Sequence, residues 1–405
     1  MKKMKIGVDI GGSHVAIGIV NKDKIINKTE VEISSNIIEI EEFITKYIVN
    51  YIEEVKKKES VELIGIATPG NAKNGIIYEI VNLGIKEFNI TKELQQYYNV
   101  PILVRNDAKC AAMAEKIYGS LKTYEDAVFL CLGTGIGAGV FLDNKLLVPK
   151  KNTGFEIGHM IIEKHGKQCN CGKYGCFETY CSIKRFKQNI REILKLEEEI
   201  EGKELLTIIE ENEENTKVKK EINEYIQNLI IGLSNIIDLF EPQAIATGGG
   251  FVYYKNILYN KLLEEYYNKK FTRGERFLYH ARIDYDDKEY VECSFFLHQA
   301  AEYFIKTIPL VYSLYGYKEH DLHFLCERSK PFTTELANVF PCDCEEEKRL
   351  FELLRAAYIE ARYNDKFVVT KADIDALLPK IELLRDVVER VCKERLAYYD
   401  SRIEK

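Results

Sequence analysis

No apolar run in this chain is long enough to span a bilayer, which excludes a membrane helix. The first residues, MKKMKIGVDIGGSH, hold only a short apolar stretch broken by Asp9, so they read as neither signal peptide nor anchor. There is no strong basic block. The 57 Lys and Arg stand against 64 Asp and Glu, a net charge of -7, which argues against a dedicated DNA binder. Internal repeats and low-complexity linkers are absent. The eleven cysteines form no disulfide framework. Three cluster and the others are scattered singly, the usage of a reducing compartment, so a cytoplasmic location is expected. What remains is a chain of 405 residues, 46% apolar, long enough for two or three domains with a sizeable core.

The cysteine cluster is the most informative feature. His159, Cys169, Cys171 and Cys176 place one imidazole and three thiols within eighteen residues. A Cys3His set with no carboxylate fills the four positions of zinc, so the metal would hold a loop rather than do chemistry. The alternative, small buried hydrophobes, fits poorly with Gly172 and Gly175, which make the segment a tight turn. Glu156 and Glu178 flank the ligands, so a fixed loop would present two carboxylates.

Apolar patterning gives the organisation. Residues 4–8 and 14–20 read as a hairpin around Gly11-Gly12, with a third strand over 24–33. Residues 39–57 carry Ile40, Phe43, Ile44, Tyr47, Ile48 and Ile52 at helical spacing. Strands at 62–67 and 101–105 and a helix over 107–117 complete a first α/β lobe, residues 1–118. Strands near 126–132, 136–142 and 243–247, with helices near 182–195, 219–240 and 250–266, suggest a second lobe, 119–277, with a substrate cleft between the two. The composition changes near residue 278. Beyond it helices are expected at 288–315, 345–361 and 370–398, a helical bundle over 278–405.

Three glycine clusters suit phosphate. Asp9, Gly11, Gly12 and Ser13 lie between two expected strands, where backbone N–H groups can approach an anion and Asp9 can hold Mg2+ through water. Gly133, Thr134, Gly135 and Gly137 follow the strand at 126–132. Gly248, Gly249 and Gly250 sit between a strand and a helix and could admit a nucleoside. Each alone is more often a simple turn, and none is a Walker A loop. Asn106-Asp107 ends a strand and begins a helix. Asp107 is there either an N-cap or a base that takes a proton from a hydroxyl attacking a γ-phosphate.

In this order the motifs resemble the ROK family of sugar kinases and repressors over about residues 3–277. The match includes Asp9-Ile-Gly-Gly-Ser13, Thr68-Pro-Gly70, Asn82-Leu-Gly84, Asn106-Asp107, Gly133-Thr-Gly-Ile-Gly137, Gly154-Phe-Glu-Ile-Gly-His159, the cysteine cluster with Glu178, and Gly248-Gly-Gly250. The resemblance implies a two-lobed, actin-like (ribonuclease H-like) α/β fold. It implies ATP- and Mg2+-dependent phosphorylation of a hexose or N-acetylhexosamine at the 6-hydroxyl, with structural Zn2+. Asp107 would be the base, and Asn82, Asn106, Glu156, His159 and Glu178 would hold sugar hydroxyls. Repressor members carry an N-terminal helix-turn-helix, for which a strand starting at residue 4 leaves no room. Lys109 replaces a small or amide residue of the family and reads as a solvated lysine or a group near the cleft. After Phe271-Thr-Arg-Gly-Glu-Arg-Phe277 the family's Gly-Asp-Ala-Gly-like segment and last helix are missing.

The tail, 278–405, resembles an all-α HEPN domain. The matching residues are Phe295-Phe-Leu-His-Gln-Ala-Ala-Glu302, Tyr317-Lys-Glu-His-Asp-Leu322 and Leu350–Tyr363. The nuclease branch of that family uses Arg-x4–6-His, and no histidine follows Arg362 here. The resemblance therefore implies a non-nuclease module with a second nucleotide or a protein as its partner. His298, His320 and Arg362 form either a nucleotide-binding cluster or ordinary core and capping contacts. ROK and HEPN modules both tend to dimerise, which implies a homodimer. Two functions follow: a hexose kinase with an appended module, or a non-catalytic sugar- or nucleotide-binding scaffold.

Overall fold

The computed structural model describes residues 2–21, 24–33, 38–56, 59–80, 83–148, 156–197, 200–313, 316–341 and 343–403. They form two compact units, the first made of residues 1–161, 166–178 and 246–249, the second of the remainder.

The first unit is built on strands. β1 (Lys2–Ile10) and β2 (His14–Asn21) pair antiparallel with Ile10 opposite Val15, and β3 (Lys24–Glu32) joins beyond β2. Met4, Ile6, Val8 and Ile10 are buried while Lys3 and Lys5 are exposed, the period of two that a one-sided strand requires. The helix α1 (Ile40–Val55) packs Ile44, Ile48, Tyr51 and Ile52 into the same core. β4 (Glu59–Thr68) and β8 (Ile102–Asn106) extend the sheet in the order β3-β2-β1-β4-β8, both parallel to β1. Between them a small antiparallel sheet of β5 (Asn71–Lys73), β6 (Ile76–Ile80) and β7 (Ile85–Phe88) precedes α2 (Ile90–Gln95).

Asp9 lies opposite Ala67 and Thr68 opposite Asn106, so three parallel strands end at one edge. That edge is where open α/β sheets bind ligands. The chain turns there into α3 (Asp107–Tyr118). A second sheet has the order β11-β10-β9-β12, from β9 (Ala127–Leu132), β10 (Ile136–Leu142), β11 (Lys145–Leu146) and β12 (Ala244–Gly248). Gly137 and Gly139 on β10 face Ala108 and Ala112 of α3 so closely that a Cβ on either glycine would overlap an alanine methyl. Close approach to α3 is what these glycines provide.

The second unit is helical. It holds α4 (Phe177–Cys181) from Thr179 onward, α5 (Ile183–Leu194), α6 (Gly202–Glu211) and α7 (Thr216–Phe240). It continues through α8 (Lys255–Asp286), α9 (Tyr290–Ser313), α10 (Leu322–Ser329), α11 (Leu336–Val339), α12 (Glu345–Tyr363) and α13 (Lys371–Ile403). α8, α9, α12 and α13 share one core around Phe271, Leu297, Phe304, Leu354 and Leu384.

The helix expected over 250–266 instead runs to Asp286, straight through residue 277. Gly274 sits in its middle, where glycine costs about 1 kcal/mol relative to alanine. A Cβ there would come within 2.6 Å of the Phe304 ring, so the glycine lets α9 pack against α8. No described helix is long and apolar enough to cross a membrane.

Candidate functional site

The base candidate is held by a division of labour at the start of α3. Asn106 is the N-cap, its side-chain oxygen accepting from the Lys109 N–H at 3.1 Å while its amide donates to the Gly70 carbonyl at 3.1 Å. Asp107 is therefore not the N-cap but the first residue of the helix. Its Oδ1 accepts the adjacent Ala108 N–H, at 2.6 Å. Asp107 keeps an exposed face, but the protein packed around it partly desolvates the carboxyl and pushes it above its ordinary value; the Ala108 N–H opposes that, and the negative charge of Asp9 raises it further. Asp9 is itself pushed up, first by burial, against the pull of His14 and Lys28. Two carboxylates that repel each other at the ends of β1 and β8, on either side of β4, are a setting that a divalent cation relieves.

Two of the glycine turns close on themselves, and Gly249 of the third lies against the end of β9. Gly11 N–H donates to the His14 carbonyl at 2.8 Å, closing the turn that carries Gly12 and an exposed Ser13. Gly133 N–H donates to the Gly135 carbonyl at 2.9 Å, leaving Thr134 exposed at the tip. Gly249, at φ 74°, lies against the Leu132 carbonyl and Cys131 Sγ, where a Cβ would come within 2.8 and 3.0 Å. Cys131 in turn feels the charge of Asp107, which with burial raises its thiol pKa. Gly249 and Gly250 open a short 3-10 turn, Gly249–Tyr254. Gly137 departs from the expectation for a phosphate loop: it lies inside β10 under Ala108 and serves packing.

Lys109 is also corrected. It is half-buried rather than solvated, and its Nζ donates to the Ala138 carbonyl at 2.5 Å. Burial lowers its pKa while the nearby charge of Glu156 raises it. No sequence pattern marked this contact, because Ala138 lies on a different sheet from the strand that leads into α3.

The four candidate metal ligands converge. Ligand atoms of His159, Cys169, Cys171 and Cys176 all lie within 4.8 Å of one another. The pairs Cys169 Sγ–His159 Nδ1 and Cys171 Sγ–Cys176 Sγ are each 3.6 Å apart. Bonds of about 2.0–2.3 Å to a tetrahedral zinc place ligand atoms roughly 3.5–3.8 Å apart, so the set fits. Gly172 and Gly175 both take positive φ, and the Cys169 N–H donates to the Lys173 carbonyl at 2.8 Å, closing the knuckle.

The knuckle is fastened to the glycine loop. Glu178 Oε2 accepts the Ile136 N–H at 2.8 Å, which leaves Oε1 for another partner. Glu156 is exposed at the start of the 3-10 turn that carries His159. The structure thus brings Asp9, Asn106, Asp107, Glu156, His159 and Glu178 into one unit. Asn82 falls outside the described residues.

Residues 5–283 match the model of the ROK family. The chain belongs to the ROK family. A HEPN domain matches over residues 267–391, so the two matches overlap on α8 instead of meeting at residue 278. A glucokinase of Thermotoga maritima is 29% identical over 65% of this chain and 88% of its own length. A xylose repressor of Bacillus subtilis is 28% identical over 52% of this chain and 54% of its own length. Among solved structures, a ROK hexokinase from Thermus thermophilus shares the fold at a TM-score of 0.53, with 25% identity, covering 65% of this chain and 89% of that one. Kinases and repressors of the ROK family thus resemble this chain to similar degrees.

The HEPN part contains a polar centre. Glu302, 2% exposed, bonds Lys306 at 2.8 Å and His320 Nδ1 at 3.0 Å. His298 is fully buried, with Nδ1 2.9 Å from the Leu354 carbonyl. His298 and His320 stack on Tyr358 at 5.1 and 4.7 Å, and the Arg362 guanidinium lies 4.3 Å from the same ring. The three residues singled out in the sequence do come together, His298 as a core histidine and His320 at the surface.

Proposed function

We propose that this ROK protein is an ATP-dependent hexose kinase that phosphorylates a hexose or N-acetylhexosamine at the 6-hydroxyl. The observation that carries the proposal is the position of Asp107. Asn106 does the capping, so the raised carboxyl of Asp107, held by backbone N–H groups alone, keeps an exposed face for a substrate hydroxyl. Its task is to accept the hydroxyl proton as that oxygen attacks the γ-phosphate, a reaction that otherwise needs positioning and charge stabilisation.

Glu156, His159, Asn106 and the free oxygen of Glu178 suit sugar hydroxyls, and Asn82 is assigned the same role by resemblance. The turns at Gly11-Gly12-Ser13, Gly133-Thr134-Gly135 and Gly248-Gly249-Gly250 suit the phosphates and nucleoside of ATP. Mg2+ beside Asp9 and Asp107 would neutralise charge on the transferring group. Zn2+ on His159, Cys169, Cys171 and Cys176 would fix the knuckle, and through it the ring of His159 and the carboxylate of Glu178. We assign the helical tail to dimerisation or to a second nucleotide or protein partner, in a reducing cytoplasm.

Exchange of Asp107 for Ala tests the reading. Sugar-dependent ADP release should fall about 10²–10⁴-fold while sugar binding survives. A second reading, a sugar-binding scaffold without turnover, draws support from the repressor relatives and from α8 running on where the family's last helix is expected. Under that reading no sugar stimulates ADP release by the wild-type chain.

A further inference from the structure

A groove of about 660 Å3 lies along α8, reaching Gln227 on α7, and the kinase reading makes no use of it. Lys269, Arg273, Arg276 and His280 line it, all exposed. Their spacing of four, three and four residues keeps them on one face of the helix, over about 16 Å.

Several arginines elsewhere in this unit are paired with acids. Arg282 pairs with Glu382 at 2.6 Å, Arg349 with Asp373 at 2.6 Å and Arg355 with Asp321 at 2.5 Å. Among the described residues, Lys269, Arg273 and Arg276 form no ion pair; Arg273 lies over the Tyr303 ring at 5.2 Å. The one acid in the lining, Glu265, is bonded by the Gln227 amide at 3.1 Å. The surplus of positive charge is felt by Lys270 on the same helix. Burial lowers its pKa, and Lys306, Arg273 and Lys269 lower it further. In a chain of net charge -7, such a groove is a local concentration of uncompensated cations.

The lining also says which anion. Phe277, its single aromatic ring besides His280, is engaged with Phe296 at 6.1 Å and Tyr303 at 5.4 Å. Nucleic-acid tracks interleave cations with rings free to stack on bases, and this groove offers little such surface. Its volume is that of a small-molecule site, about 300–1,000 Å3. Thr272 and Asn268 add neutral hydrogen-bonding groups.

We propose that the α7–α8 groove binds a compact anion carrying two or more linked phosphoryl groups. Arg273 and Arg276 take the phosphate oxygens through charge-assisted bonds, and Lys269 and His280 extend the site at either end. Inorganic oligophosphate and the phosphate tail of a nucleotide share this chemistry.

Calorimetric titration of the full-length, zinc-loaded protein tests it, with tripolyphosphate, orthophosphate, sulfate, ATP and a single-stranded RNA oligonucleotide as probes. Tripolyphosphate should bind one site more tightly than orthophosphate or sulfate. The double variant R273Q/R276Q should lose roughly tenfold or more in that affinity, with its melting temperature and zinc content unchanged. Sugar-dependent ADP release should be the same in both proteins. A second ATP site lost in the variant identifies the nucleotide tail as the source; tripolyphosphate binding without it identifies inorganic oligophosphate. If the double variant does not fold, Lys269→Met and the salt dependence of the affinity serve instead, and both should weaken binding. Equal binding of sulfate, undiminished affinity in the variants, or tighter binding of RNA at the same residues would overturn the proposal.

Discussion

Glu178 Oε2 accepts the backbone N–H of Ile136 at 2.8 Å, tying the helix that follows Cys176, the last candidate zinc ligand, to the strand that follows the Gly133–Gly135 loop. One carboxylate thus links a metal knuckle to a candidate phosphate loop. Glu178→Ala should cost about 1.5–3 kcal/mol of stability, the range for a hydrogen bond to a charged group. Glu178→Gln keeps an acceptor for Ile136 but loses the charge, so it should melt near the wild type while raising KM for the sugar. Denaturation curves and steady-state kinetics on the two variants check both halves.

Asp107 gives a prediction about pH. Its folded pKa is raised above the unfolded value, so the folded state favours the protonated carboxyl. The ionised form, which catalysis needs, is therefore a destabilising element above the folded pKa, and that cost vanishes as the pH falls below the unfolded value. Asp107→Asn should raise the melting temperature at neutral pH while cutting kcat by about 10²–10⁴-fold. The wild-type kcat should fall on the acid side at a pH above the ordinary carboxylate value of 3.8. A melting temperature unchanged at every pH would contradict the assignment.

The ligand set predicts about one equivalent of zinc per chain. Cys176→Ser should lower the zinc content, destabilise the first unit and raise KM for the sugar, since Glu178 and His159 lie on the knuckle it holds. Metal analysis of purified protein, before and after chelation, reads the first effect directly. Restoring zinc to the chelated wild type should restore activity, and the variant should not recover.

In the helical unit, Glu302 is the buried acid. Burial pushes its pKa up, but Lys306 and His320 outweigh that and hold it below the ordinary value of 4.5. A depressed folded pKa contributes stability above the unfolded value that is lost as the pH falls through the folded one. Glu302→Gln should therefore flatten the acid limb of the melting profile. Glu302→Ala, which strands Lys306, should cost about 3–5 kcal/mol. Thermal melts of the full chain from neutral to acid pH check both.

The strand and helix pattern around the site was legible because its local signals were strong. Alternation in Met4–Ile10, the Asn106-Asp107 junction and the Cys-x-Cys-x4-Cys turn each fix local geometry over a few residues. What the sequence hid depends on partners distant along the chain. Lys109 reads as solvated until Ala138 is placed beside it. Gly137 reads as a phosphate loop until Ala108 fills the space above it. The length of α8 was missed because the helix runs on through Gly274, where the Phe304 ring fills the space a side chain would take. The short strands β5–β7 went unread because each spans only a few residues with no sustained alternation.

The most direct test is sugar-dependent ADP release by the full-length, zinc-loaded protein with Mg-ATP and a panel of hexoses and N-acetylhexosamines. ADP release should depend on one or a few of these sugars and fall about 10²–10⁴-fold in Asp107→Ala. No ADP above background with any sugar, from a folded and zinc-loaded sample that still binds sugar, would contradict it and leave a binding scaffold in place of a kinase.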